Sequence, residues 1–250
     1  TDMSDRHVRT PSVVLVHGAW GDGSGWSKVI PLLIEKGIRV YAVQNPTSSL
    51  AADVAATRHV LDIAEGPVVL VGHSWGGTVI TEAGNHPRVA ALVYVAAFAP
   101  DVGQSTGDQV AAYPAPPGLG EISLDSRGGY WMSLKGWRTA VAQDLPEAEA
   151  AILHALQPPL GATTFSDKVT QAAWADRPNW YVISTEDRAV SVELQHALSK
   201  TLMARTTELN ASHMSLLSNP RAVADVILDA VAEVTATTGG AGDETSGEHP

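Results

Sequence analysis

The apolar run Val68 to Gly72 passes straight into Gly72-His73-Ser74-Trp75-Gly76-Gly77. It continues as Trp75 to Asn85, a stretch with apolar residues at helical spacing. Nothing else in the chain constrains the fold as much. A strand that becomes a helix within two residues forces the residue at the apex, Ser74, into strained backbone angles. It also leaves no room for side chains two positions to either side. Gly72 and Gly76 meet that demand. The G-x-S-x-G pattern alone is a frequent chance match; its weight here comes from the strand before it and the helix after it. Such a turn lifts the Ser74 hydroxyl above the sheet and aims the Trp75 N–H and the helix N-terminus at the space beside it.

The rest of the chain repeats the strand-then-helix alternation. Val13 to His17, Ile38 to Val43, Val68 to Gly72 and Ala90 to Ala97 are apolar on consecutive positions, as strands covered on both faces must be. Trp180 to Ser184 and Thr206 to Leu209 complete a set of six. Between them Ser27 to Lys36, Ala51 to Ile63, Trp75 to Asn85, Ser191 to Thr201 and Ala222 to Val234 carry apolar residues at helical spacing. The pattern predicts an α/β fold with a mainly parallel, doubly wound sheet of about six strands, and a ligand site at the carboxyl ends of the strands. Its core comprises residues 13–100 and 179–236.

Residues 101–178 break the alternation. They show no strong strand, cluster Pro and Gly at Pro114 to Gly120, and contain Tyr113, Tyr130, Trp131, Trp137, Phe165 and Trp174. A structureless loop of that length is implausible in a compact domain, so a mainly helical cap inserted before the acid-bearing strand is expected. Its aromatic residues suit a lid that lines an apolar pocket. At the ends, residues 1–12 form a polar extension that does not read as a signal peptide. Residues 237–250, poor in apolar side chains, read as a disordered tail.

With Lys+Arg 16 against Asp+Glu 27 the net charge is −11, which disfavours nucleic acid and anionic membrane surfaces as partners. No stretch approaches the roughly 18–20 apolar residues of a membrane helix, so a soluble, cytoplasmic protein is expected, as monomer or homodimer. The absence of Cys removes thiol nucleophiles, Cys-ligated zinc and iron–sulfur clusters; no metal or cofactor site is expected.

A serine hydroxyl needs an adjacent base. Among the nine histidines, His213 stands in Asn210-Ala211-Ser212-His213-Met214, a loop between the last apolar strand and the final helix, which places it on the same rim as Ser74. The strand Trp180 to Ser184 ends in Thr185-Glu186-Asp187-Arg188, so Asp187 is the favoured carboxylate to hold the imidazole. Glu186 and, more remotely, Asp101 are the alternatives. Two N–H donors are needed where negative charge develops. Trp75 supplies one, and Ala19 in His17-Gly18-Ala19-Trp20 is the natural second. Trp20, Trp131, Trp137 and Met214 are the expected pocket residues, while Trp26 is left between pocket wall and core. The order Ser74, Asp187, His213 is that of α/β-hydrolases.

On these motifs the chain resembles the α/β-hydrolase superfamily over Val13 to Val234, and in particular its compact branch of plant methylesterases, hydroxynitrile lyases and related bacterial esterases. Val-Leu-Val-His17-Gly18-Ala19-Trp20, the Gly72 to Gly77 elbow, Thr185-Glu186-Asp187-Arg188 and Ser212-His213 stand where that family has its oxyanion loop, nucleophile, acid and base. The resemblance implies a carboxylesterase-type serine hydrolase acting on small or aromatic apolar esters through an acyl-enzyme. The alternatives are a small-molecule receptor on the same fold, a hydroxynitrile lyase-like enzyme or a lactone-cleaving one. The lyases carry Thr and Lys where this sequence has Ala19 and Met214, which counts against cyanohydrin chemistry.

Overall fold

A computed structural model describes residues 10–243. In chain order its strands are β1 (Ser12–Val16), β2 (Arg39–Val43), β3 (Val68–His73), β4 (Val89–Val95), β5 (Ile122–Leu124), β6 (Gly129–Met132), β7 (Leu160–Gly161), β8 (Asn179–Ser184) and β9 (Arg205–Leu209). Its α-helices are α1 (Ile30–Glu35), α2 (Leu50–Ile63), α3 (Trp75–Ala83), α4 (Thr106–Ala111), α5 (Leu134–Gly136), α6 (Glu147–Leu156), α7 (Val192–Thr201), α8 (Ser215–Ser218) and α9 (Pro220–Asp243).

Alternation along the central strands sorts their side chains onto two buried faces. Val13 and Leu15 of β1 with Val69 and Val71 of β3 pack beneath α1 and α9, against Leu33, Val223 and Ile227. Val14 and Val16 with Val68 and Leu70 pack on the opposite face against Val54, Ile80 and Leu198 of α2, α3 and α7. Burial on both faces is why these strands are apolar at every position. The sheet order is β2-β1-β3-β4-β8-β9, and every neighbouring pair is parallel. All six carboxyl ends therefore face one rim, where the loops after β1, β3, β8 and β9 meet. This is the α/β-hydrolase fold. Among the described residues no helix is long and apolar enough to cross a membrane.

One expectation needs completing and two need correction. Residues 101–178 hold the helices α4, α5 and α6, and also a three-stranded antiparallel sheet of β5, β6 and β7. The β5–β6 turn is built by Asp125, whose carboxylate accepts from the Arg127 and Gly129 N–H groups, and by Gly128 at φ 82°. Those are hairpin devices, and the strands they join are too short to show a clear period. The amino-terminal extension stops short of Ser12, which already belongs to β1 and whose Oγ donates to the Glu65 carbonyl; residues 1–9 lie outside the described region. Finally, α9 continues through Asp243, so residues 237–243 are helical rather than disordered, and 244–250 lie outside the described residues. The Thr235, Thr237 and Thr238 hydroxyls bond back to the Val231, Glu233 and Val234 carbonyls. Each hydroxyl satisfies itself on the helix four residues back, so a polar composition does not end the helix.

Candidate active site

Ser74 sits between β3 and α3 at φ 55°, ψ −121°, a conformation that side-chain-bearing residues rarely hold. Its N–H donates to the Val95 carbonyl and its carbonyl accepts from the Gly77 and Phe98 N–H groups, so the turn is fixed from both sides. The glycines are required by contact. A Cβ at Gly72 would fall 2.5 Å from the Gly76 carbonyl oxygen, and one at Gly76 would fall 2.4 Å from that of Val16. The first demand is the one the motif predicts, because the turn folds back on itself. The second comes from β1, against which the head of α3 is pressed.

His213 enters from the loop after β9. Its Nδ1–H donates to Asp187 Oδ2 at 2.7 Å, and both residues are buried. The other Asp187 oxygen accepts from the Ala189 and Val190 N–H groups, while Gln195 Nε2 of α7 donates to Oδ2 at 3.0 Å. Four donors therefore fix the carboxylate. Glu186 is exposed, with its carbonyl taken by Gln143, and Asp101 is exposed beside the Val102 N–H; neither meets the imidazole. His73 bridges the elbow to the loop that carries His213, since its Nε2–H donates to the His213 carbonyl at 2.8 Å. Burial holds the His73 imidazole well below its ordinary pKa, and the adjacent His213 lowers it further, so it is neutral.

The loop after β1 lies against the elbow. A Cβ at Gly18 would fall 2.8 Å from that of Ser74, so only glycine lets the two approach. His17 is buried and donates from Nδ1 to the Gly18 carbonyl; burial lowers its pKa. Trp20 turns the chain at φ 58° and its indole donates to the Tyr130 carbonyl at 2.9 Å. Trp75 is the first residue of α3, a position whose N–H has no acceptor within the helix. Its indole Nε1 donates to Asp53 Oδ2 at 2.9 Å. The same buried carboxyl accepts from Asn45 Nδ2 and the Thr47 N–H. Burial raises the Asp53 pKa, against the pull of those three donors.

Ser74, His213, Ala19 and Trp75 line one cavity. Its wall also takes in Phe98, Met132, Val141, Leu160, Phe165 and Val190, and among the described residues no Lys, Arg, Asp or Glu lines it.

A family model described as "Alpha/beta hydrolase family" matches residues 13–226. The chain belongs to the α/β hydrolase family. A pyrethroid hydrolase of Sphingobium wenxiniae is 28% identical over 245 residues, which cover 87% of this chain and 86% of that protein. Methylesterase 2 of Arabidopsis thaliana is 25% identical over 257 residues, covering 88% and 95%. The crystal structure of a pyrethroid hydrolase from Sphingobium faniae shares the fold with a TM-score of 0.75 at 24% identity, covering 89% of this chain and 97% of that one. The protein is a carboxylesterase-type hydrolase.

In this hydrolase Trp20, Trp137 and Met214 line the cavity, and Trp26 is core. Trp131 does not line it. Successive strand residues point to opposite faces, so in β6 Met132 turns inward. Trp131 turns outward, where its indole donates to Asp125. Met132 and Leu160 were not legible as pocket residues, because seeing them required the small sheet. The paired turn signals Asp125 and Gly128 would have exposed it.

Proposed function

We propose that this hydrolase cleaves neutral carboxylic esters with small or aromatic apolar groups through a Ser74, His213, Asp187 triad and an acyl-enzyme intermediate. One observation carries the reading. A serine held at a strained turn shares an apolar cavity with a histidine whose far nitrogen lies 2.7 Å from a four-fold hydrogen-bonded carboxylate.

With Nδ1–H committed to Asp187, His213 presents Nε2 as the acceptor. That nitrogen takes the Ser74 proton as Oγ attacks the ester carbonyl carbon. Negative charge then develops on the carbonyl oxygen, beside the Ala19 and Trp75 N–H groups. One such donor is commonly worth about 10²–10³ in rate. Collapse expels the alcohol, which leaves with the proton from His213. Water attacks the acyl-enzyme by the same route, releasing the acid and restoring Ser74. Trp75 is fit for this role because Asp53 anchors its indole, which fixes the residue whose N–H faces the oxyanion.

The cavity supports the substrate class. A charged group buried among Phe98, Met132, Trp137 and Phe165 would find no counter-charge in the wall. Relatives named methylesterase and pyrethroid hydrolase fit ester cleavage. Ala19 and Met214 bring no strong hydrogen-bonding side chain to the wall, which disfavours cyanohydrin cleavage.

Turnover of p-nitrophenyl acetate and butyrate by wild type, Ser74→Ala and His213→Ala tests the proposal. The variants are expected to lose about 10⁴-fold or more in kcat. Wild-type rates in either would overturn it.

A further inference from the structure

Asp144 lies in segment 101–178, just past the π-helical turn Trp137–Val141, and the chemistry above makes no use of it. Its two carboxylate oxygens are both spent on one residue. Oδ1 accepts from the Ser212 hydroxyl at 2.5 Å and Oδ2 from the Ser212 N–H at 2.9 Å. Ser212 is fully buried and immediately precedes His213, and its Oγ accepts in turn from the Met214 N–H at 3.1 Å. The carboxylate of Asp144 thus reaches both neighbours of His213, one directly and one through a single hydroxyl.

The surrounding bonds give this contact its meaning. Gln143, next to Asp144, donates to the Glu186 carbonyl, and Arg188 donates to the Thr139 carbonyl. The stretch 139–144 therefore grips the acid loop and the base loop together. On the opposite side, His73 holds the His213 carbonyl from the elbow. A two-point, charge-assisted bond to a buried residue fixes the direction of the chain as well as its position. A base misplaced by about 1 Å can lose on the order of a hundredfold in rate.

We propose that Asp144 is a positioning residue that fixes the loop carrying His213, so that the orientation of the base depends on segment 101–178. This rests on the reading of His213 as the base. Asp144 touches neither substrate nor the reacting atoms; it acts through Ser212.

The test uses the full chain as wild type, Asp144→Ala, Asp144→Asn, Ser212→Ala and His213→Ala. Its readouts are kcat and KM for p-nitrophenyl butyrate and the downfield proton resonance of the His213 Nδ1–H. Asp144→Ala is expected to lower kcat about ten- to a hundredfold with KM changed less than about threefold, and to shift or broaden the resonance. Asp144→Asn keeps one acceptor oxygen and should recover part of the loss. If Asp144→Ala does not fold, Ser212→Ala carries the test, with a several-fold fall in kcat expected. An unchanged kcat and resonance, or an effect confined to KM, overturns the inference. Activity in His213→Ala would instead overturn the assignment of the base, whereas an inactive His213→Ala beside an unimpaired Asp144→Ala sinks the role of Asp144 alone.

Discussion

His213 and Asp187, 26 residues apart in the chain, meet at 2.7 Å between Nδ1 and Oδ2, with the Asp187 side chain wholly removed from solvent. Because Ala189, Val190 and Gln195 hold the carboxylate independently of His213, its position survives changes at the imidazole. Asp187→Asn retains the shape but offers an amide in place of an acceptor oxygen and favours the wrong tautomer. Steady-state kinetics on p-nitrophenyl butyrate should show kcat lower by about 10³–10⁴, and the melting temperature should fall as well, because the buried Gln195 amide loses the oxygen it donates to.

Strain at Ser74 separates stability from activity. At φ 55°, ψ −121° a Cβ is unfavourable, and glycine relieves that strain. Ser74→Gly and Ser74→Ala should both be inactive, with Ser74→Gly the more stable of the two by about 1 kcal/mol in urea unfolding. Gly76→Ala should lose at least about 1–3 kcal/mol, because its new methyl meets the backbone oxygen of Val16 rather than a side chain that can move.

Buried neutral histidines set the acid limit. Burial depresses the folded-state pKa of His73 and, by the same cause, His17. The stabilisation from holding them neutral is complete above the unfolded value of about 6.5. As pH falls below that, the unfolded chain takes up protons that the folded chain refuses. Stability should therefore decline by up to about 1.4 kcal/mol per pH unit for each such histidine. Asp53, raised by burial, works in the opposite sense at lower pH. His73→Gln, which cannot titrate yet keeps an N–H donor at similar reach, should flatten the slope between about pH 6.5 and 5 in urea unfolding.

The cavity wall makes a prediction about charge. With no ionic side chain among its lining residues, an acyl group ending in a carboxylate has to be buried unpaired. A p-nitrophenyl ester of a dicarboxylic acid should show kcat/KM at least about a hundredfold below its neutral isostere, a difference of some 2.7 kcal/mol.

The sequence showed most of what backbone geometry dictates. Ser74 was legible because the Gly72 to Gly77 turn admits few alternatives, and His213 because a loop that follows a strand of a parallel sheet and precedes a helix must lie on the carboxyl rim. What escaped depends on contacts that leave no local mark. Asp53 reads as an ordinary surface charge on α2, yet is buried beneath Trp75. Asp144 reads as a loop acid, and only tertiary structure brings it to Ser212, 68 positions away. Trp131 and Met132 exchanged roles because β6 is four residues long, too short for a period to declare itself. Aromatic content favoured the wrong one of the two.

The central claim is that Ser74 forms the acyl-enzyme. Rapid acid quench during turnover of p-nitrophenyl butyrate, followed by peptide mass analysis, tests it directly. A butyryl group on the peptide containing Ser74, absent from Ser74→Ala, is the expected result. A burst without that adduct, or acylation at another residue with Ser74→Ala still turning over, would contradict it.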